Sequence, residues 1–502
     1  MAKRKKEVVQ KRFLDGGIFD RYNSDWQGVY NVNFETQATN KYVRFRARDM
    51  WLNDPWTQAI VRLIRDEVIG EHGFKLACQY EFPTRKAGIN NGKVIEEEWE
   101  DFNSFGNITI REDLSGAMLQ RHIAETWVVD GEVFIRTFRG REEGKHGVRY
   151  QILTADYIDE NYYTSTPNGA IYQGIEYDTR GKVLAYHCYT RNPYDPNTPF
   201  LGENNRVRVP ASDMKHLFLR KVPNQVRGIS MLNPIMQKLY HLSQYSKYEV
   251  LQAEAATLNQ FYYRQSPESD TYTGQMTPAE LAEIYNKAPS KLTKPGQIPW
   301  LPPGVDLEAV KANTPHPQFG AFVQAMLREI ASGMGINYNF FANDWATFSY
   351  SSSKMAHHMS QSNWGVIQDH FKSVVVQPMF EDWLEMQALF NATNVPSVLP
   401  FVNLANVDKF KTEVMWHGKK FGTPDALKEA QADAALYELG VTSLRRIAAK
   451  YAVDLDEVTA ERASELIMIK TAGAPEPHTA ILNQAEQIEK LSTEKGEPVT
   501  DE

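Results

Sequence analysis

The chain is short of the residues that usually announce chemistry. Its 502 residues include two cysteines, Cys78 and Cys188. Two are too few for a disulfide framework or a four-cysteine metal site, so structural thiols in a reducing compartment are expected. No run of about 18 apolar residues occurs, so no bilayer-spanning helix and no membrane partner are expected. Cations are not in excess: 55 Lys and Arg stand against 63 Asp and Glu, a net charge of −8. That argues against a surface whose main task is to grip phosphates, which needs clustered Lys and Arg. The basic start, MAKRKKEVVQKRF, has no apolar stretch behind it and does not read as a secretory signal. It reads as a solvated tail in preference to an arm that touches DNA or capsid.

Catalytic motifs are missing as well. No GxSxG, CxxC or GxGxxG occurs, and GREEGK at 140–145 is one residue short of a P-loop and is followed by His146. His357, His358 and His370 make no HExxH pattern, and the adjacent pair points in different helical directions. Asp130 and Glu132 flank Gly131 in VVDGEVF. A turn between a helix and a strand explains that spacing without a two-metal site. The reading is a protein that is not an enzyme and has no metal and no cofactor.

What remains is a globular composition, 42% hydrophobic and 24% charged, in a chain long enough for several subdomains. Residues 1–40 show few periodic apolar positions and read as an extended arm. The segment 47–70 is helical: Asn53 or Asp54 can cap it, Pro55 suits a first turn, and Ile60, Leu63, Ile64 and Val68 share a face. Helical stretches follow around 96–105 and over 114–131. From Glu132 the period changes to two, and 132–222 reads as a β-rich module with a hairpin turn at Asp178–Gly181. Residues 233–263 return to helical spacing. Residues 264–315, rich in Pro, Ser and Thr, form a small inserted module with one short helix (278–287) and a strand–turn–strand over 294–310.

After the insert comes one apolar stripe, Phe319, Phe322, Val323, Met326, Leu327 and Ile330. Gly333 and Gly335 end that helix. The loop from Asn337 to about Ser351, NYNFFANDWATFSYS, has no helical period and no Lys or Arg. Two readings stand for it: a packed Ω-loop with buried aromatics, or a functional mobile loop. Helix resumes near Ser352, with a kink expected at Pro378. Pro396 and Pro400 mark a linker, and helices fill the remainder to a tail, from Gly473, that reads as disordered.

Seven segments in this order are similar to the lambda-like family of portal proteins of tailed bacteriophages. They are NDPWTQAIVRLIRDEVIG (53–70), VVDGEVFIR (128–136), GIEYDTRGKVLAYHCY (174–189), VRVPASDMKHLFLRKVPNQVRGISML (207–232), LPPGVDLEAV (301–310), IASGMGINYNFFANDWATFSYSSSK (330–354) and PDALKEAQADAALYELGVTS (424–443). The resemblance covers about residues 45–465; the family often has Arg where Lys354 stands here. It implies an α+β portal fold assembled as a ring, usually of twelve subunits. It also implies an arm (1–40), a wing (41–230), a first stem helix (231–262), a clip (263–315) and a second stem helix (316–335). A tunnel loop (336–351), a long wing helix (352–399), a helical crown (400–472) and the tail (473–502) would complete it. The implied function is a channel at one capsid vertex through which double-stranded DNA is packaged and ejected, without sequence specificity. The implied partners are the terminase large subunit, then a head-completion or connector protein, with the major capsid and scaffold proteins around the ring. The implied location is the virion, and the host cytoplasm during assembly. A virion adaptor or scaffold without a DNA channel is the alternative.

On that reading the loop candidates at the constriction are Asn337, Asn339, Phe340, Phe341, Asn343, Asp344, Trp345, Thr347, Phe348 and Ser349. The polar ones would line a low-friction passage; the aromatic ones would anchor the loop or touch the duplex. Glu249, Glu254 and Glu329 are candidates for lumen charge, with a solvated outer face or an intersubunit ion pair as the other reading.

Overall fold

The computed structural model describes residues 31–78, 91–195, 206–257, 261–265, 305–309, 317–344, 363–419 and 426–472, apart from 452 and 454. The first element is already a departure from expectation. Helix α1 spans Val32–Asn53, capped by the Asn31 side chain, so 32–40 is not an extended arm. Apolar periodicity misses its first half because the buried side chains there are polar, Thr36, Asn40 and Arg44; Val43, Ala47, Met50 and Trp51 pack on the main core further along. Asp54 ends α1 and, through its side chain on Thr57 N at 2.7 Å, starts α2 (Pro55–Val68). Ile60, Ile64 and Val68 are buried on α2, as their spacing predicts. Strand β1 (Lys75–Cys78) and helix α3 (Asn91–Phe102) follow, then α4 (Gly116–Asp130), which Ser115 caps.

Gly131 closes α4 in the left-handed region (φ +85°). A Cβ there would lie 2.1 Å from the Ile229 carbonyl carbon, so both backbone conformation and space demand glycine. Gly131→Ala is expected to destabilise the protein by roughly 2–5 kcal/mol, from left-handed strain plus overpacking; the urea midpoint measures it.

The β-rich region forms two sheets. One has the order β3–β2–β9, from β2 (Glu132–Arg139), β3 (Val148–Leu153) and β9 (Met214–Phe218). The other is a five-stranded antiparallel meander, β4 (Thr164–Thr166), β5 (Gly169–Tyr172), β6 (Ile175–Asp178), β7 (Val183–Tyr189) and β8 (Arg206–Pro210). The β6–β7 turn is the expected one: the Asp178 carboxylate accepts from the backbone N–H of Arg180 and Lys182. A small core, with Phe134, Ile175, Tyr186, Cys188 and Val209, contains residues of both sheets. Cys78 and Cys188 are free thiols.

Helix α5 spans Met236–Thr257. Its expected end at 262 is not reached, because Phe261–Gln265 forms strand β10 and pairs antiparallel with β11 (Val305–Ala309). The aromatic run FYY suits a pleated surface better than a helix end. The expected short helix at 278–287 lies outside the described residues. Helix α6 (Phe319–Met334) runs through Gly333 and stops at Gly335 alone (φ +65°). Gly333 lies against Ile235 instead. A short helix, α7 (Tyr338–Ala342), follows where a loop without helical period is expected; Asn337 caps it.

A helical stretch over 363–371 passes through a π-helical turn, Lys372–Val376, into α8 (Gln377–Ala392). The wider turn stands where a kink at Pro378 is expected; proline has no N–H to give the helix. The start of this helix near Ser352 lies outside the described residues.

The segment from 400, where a helical crown is expected to begin, packs into the main core. Leu399, Val402, Val407 and Phe410 are buried in the main core, the last two on α9 (Val407–Thr412). Strand β12 (Val414–His417) pairs with β1. That pairing brings Trp416 to 5.9 Å from Trp99, which also meets Phe102, Phe380 and Trp383 at 5.2–5.4 Å. Local pattern cannot show a partner strand this distant in the chain. The helices α10 (Ala426–Glu438), α11 (Leu444–Lys450) and α12 (Leu455–Ala472) close the described chain. Among the described residues no helix is long and apolar enough to cross a membrane.

Candidate functional site: the paired helices and the loop they carry

Helices α5 and α6 run antiparallel. Ile235 meets Gly333, the Lys238 ammonium pairs with Glu329, and Tyr245 packs on Phe319 and Phe322 at 5.4 and 5.2 Å. The insert that begins with β10 and contains β11 therefore leaves from one end of the pair. The Asn337–Asp344 segment leaves from the other.

That segment is tied down at its start. The Asn337 carbonyl side chain accepts from Asn339 N at 2.9 Å. Phe341 is buried, edge-on to Trp56 of α2 at 5.3 Å. The Asp344 carboxylate accepts from Gln324 Nε2 at 3.0 Å and from the Tyr338 hydroxyl at 2.9 Å, which fastens the segment back onto α6. Asn343 turns the chain in the left-handed region (φ +52°), a conformation asparagine tolerates. Phe341 is thus an anchor, and Phe340 and Asn339 are half-buried beside it. Trp345, Thr347, Phe348 and Ser349 lie outside the described residues.

The three carboxylates expected at the lumen, on α5 and α6, do not converge. Glu329 is engaged within the chain by Lys238. Glu249 sits beside the Tyr245 hydroxyl. Glu254 is exposed, and five residues of helix put it about 140° round α5 from Glu249.

One trio has the makings of a metal site: Glu98, Asp101 and His146 have their ligand atoms close together. The imidazole has no lone pair to offer. Trp383 Nε1–H, a donor only, donates to His146 Nδ1 at 3.2 Å, so the ring proton sits on Nε2. Nε2–H in turn donates to Asp101 at 2.9 Å. Burial pushes the His146 pKa down and keeps the ring neutral. Lys145 takes up the Asp101 carboxylate further. His370 is likewise occupied, with Nε2 at 3.0 Å from the Phe218 carbonyl.

Sequence reasoning missed the polar seam beneath α1. Arg48 grips Asp130 with two hydrogen bonds, 2.8 and 2.5 Å, and reaches Asp156 at 2.5 Å. Arg44 bridges Asp156 and Glu160. Fully buried Glu132 accepts from Arg227 (2.8 and 3.0 Å), from Gly228 N (3.0 Å) and contacts His216 Nε2 at 2.9 Å. Burial alone would raise the Glu132 carboxyl; Arg227 and His216 outweigh it and hold it well below the usual carboxylate range. Burial wins at Asp130, whose pKa is raised despite Arg48. A readable signal existed: Thr36, Asn40, Arg44 and Arg48 repeat every four residues, a polar stripe on one helix face. Asp130 and Glu132 do flank a turn, as expected, and they are also the floor of this seam.

The geometry describes a structural class: an α+β body carrying an antiparallel helix pair, with a sheet-bearing insert at one end and an anchored loop at the other. The chain belongs to the lambda family of phage portal proteins, whose family model matches residues 20–368. It is 25% identical to the probable portal protein of Halomonas phage phiHAP-1, an alignment covering 98% of this chain and 94% of that one. It is 22% identical to the portal protein of Escherichia phage N15 (90% and 88% covered) and 22% identical to portal protein B of Escherichia phage lambda (86% and 84% covered). Among solved structures it aligns with the neck of a native GTA particle computed with C12 symmetry, at 13% identity and a TM-score of 0.44, covering 81% and 92% of the two chains. Portal proteins are structural proteins of tailed phages that assemble as rings, and the ring is the DNA passage.

Proposed function

We propose that twelve copies of this chain form a portal ring in which the α5–α6 pair is the stem wall, residues 336–351 form the constriction, and double-stranded DNA passes without sequence-specific contact. The observation that carries this is the helix pair itself, antiparallel and pinned at Ile235–Gly333 and Lys238–Glu329, with the insert and the loop at its opposite ends. Charge supports the reading. DNA presents about one negative charge per 1.7 Å, and a channel lined with cations would hold it fast. The described part of the loop, 337–344, has no Lys or Arg and one Asp.

The insert, 263–315, would meet the terminase large subunit during filling and a head-completion or connector protein afterwards. The wing would face the major capsid and scaffold proteins. The chain itself would hydrolyse nothing and need no cofactor. It would assemble in the host cytoplasm and reside at one vertex of the virion.

Negative-stain microscopy of the purified protein tests the reading. The expected particles are rings with a central hole of roughly 20 Å or more, enough for a duplex, and light scattering counts the subunits. A compact monomer or dimer would return the assignment to an adaptor without a channel.

A further inference from the structure

The chain that leaves α6 is pinned twice before residue 345, and the two pins differ in kind. Phe341 is the deep one, 2% exposed and edge-on to Trp56 of α2. Asp344 is the shallow one. It is half-buried, and so are its two donors, Gln324 and Tyr338. Between the pins the chain turns at Asn343 (φ +52°). The direction in which it leaves towards 345 is therefore set at Asp344.

The parts of this clasp suit one another. Both donors are neutral and the acceptor is a carboxylate, so both bonds are charge-assisted. Burial, and then the hydrogen bond to Asp344, raise the Tyr338 pKa, so the hydroxyl keeps the proton it donates. Arg328 is the single cation of α6 and lies four residues beyond Gln324, on the same face of the helix. Its guanidinium stands 5.2 Å from the centre of the Tyr338 ring and holds that ring while the hydroxyl reaches the carboxylate. Gln324, Arg328 and Tyr338 thus make one surface that receives Asp344.

We infer that Gln324 and Tyr338 are positioning residues of the constriction: acting through Asp344, they fix the direction in which the loop enters the channel. The inference rests on the reading of 336–351 as that constriction. Asp344 then serves as the fastening of the loop and not as a charge that lines the passage. Neither donor carries a charge that a passing phosphate would draw away. Because hydrogen bonds hold the clasp, and core packing holds Phe341, the clasp can open without unfolding the subunit.

The test uses the full chain and two isosteric exchanges. Gln324→Glu sets a second carboxylate against that of Asp344 and opens the clasp. Adding Asp344→Asn exchanges the two groups, so that an amide at 344 donates to a carboxylate at 324. Hydrogen exchange over 337–344, read by mass spectrometry, should be about tenfold faster in Gln324→Glu, as for loss of a hydrogen bond to a charged group. It should return towards the wild-type rate in the double variant. Heads built with Gln324→Glu should retain less DNA, and the double variant should restore it. A subunit merely weakened by the first change would not be rescued by the second. Wild-type exchange over 337–344, or wild-type retention where replacement of 345–351 does lower retention, would overturn the inference. Should that replacement itself leave retention normal, the constriction reading falls and takes the inference with it. If Gln324→Glu fails to fold, Tyr338→Phe removes one bond of the clasp, keeps the ring beside Arg328 and is read in the same way.

Discussion

Glu132→Gln is expected to cost the protein about 3–5 kcal/mol, because it takes from buried Arg227 its nearest counter-charge. Few positions are held so tightly. The carboxylate is fully buried and takes hydrogen bonds from the guanidinium and from Gly228 N, with His216 stacked between Phe134 and Phe218 beside it. The remaining Arg227 bonds go to the neutral Gln173 and Ala155 carbonyls, and the other carboxylate within reach, Glu160 at 3.4 Å, is already engaged by Arg44. Urea unfolding followed by the fluorescence of the buried Trp99, Trp127 and Trp383 reads the loss. The companion variant Glu132→Gln/Arg227→Met removes both charges and should recover part of it, which separates an orphaned charge from damaged packing. An unchanged midpoint for Glu132→Gln would show that the seam contributes nothing.

The pH dependence follows from the same group. Glu132 titrates lower in the folded chain than in the unfolded one. Its contribution is therefore complete above the unfolded value, about pH 4.3, and is lost as pH falls towards the folded one. Asp130 works the other way: its raised pKa favours the folded state most at low pH, and that gain is lost as pH rises through the folded value. The Glu132→Gln protein should have a shallower acid limb than wild type.

The second large effect concerns DNA. Replacing 345–351 by a Gly–Ser linker of equal length should leave the ring intact and sharply lower the DNA retained per head. Normal filling and retention would remove the constriction from the mechanism. The replacement has to begin after Asp344. Phe341 is a core side chain against Trp56, and Phe341→Ala should cost about 3–5 kcal/mol of stability whatever the loop does. A deletion that included it would confuse a fallen subunit with an open channel.

Where one short stretch carries its own reasons for its shape, the sequence is legible. Asp54–Pro55 starts α2, Gly131 closes α4, and Asp178 turns the β6–β7 hairpin, each by a bond to a near neighbour. Legibility fails where the reason lies far along the chain. Helix α1 buries Asn40 and Arg44 and half-buries Arg48 on carboxylates and carbonyls 82 to 188 residues away, so this face reads as solvent-facing. Strand β12 falls where helices are expected after the Pro396–Pro400 linker, until β1 lies beside it. At the loop, composition showed the absence of cations but not which aromatic is an anchor; Trp56, the partner that decides it for Phe341, belongs to another element.

The β1–β12 pairing also sets a timetable for synthesis. Cys78 pairs with Val414, roughly 340 residues later. At bacterial elongation rates of about 5–20 residues per second, β1 waits some 17–70 s on the ribosome for its partner. Trp99 waits as long for Trp416. Meanwhile α5, the insert, α6 and the loop all emerge before the last part of the body, 363–417, is made. The newborn chain thus spends up to about 70 s with an open strand edge and an uncovered aromatic cluster. That is an opening for a chaperone, and it gives β12, the last strand of the body to be made, the role of closing it.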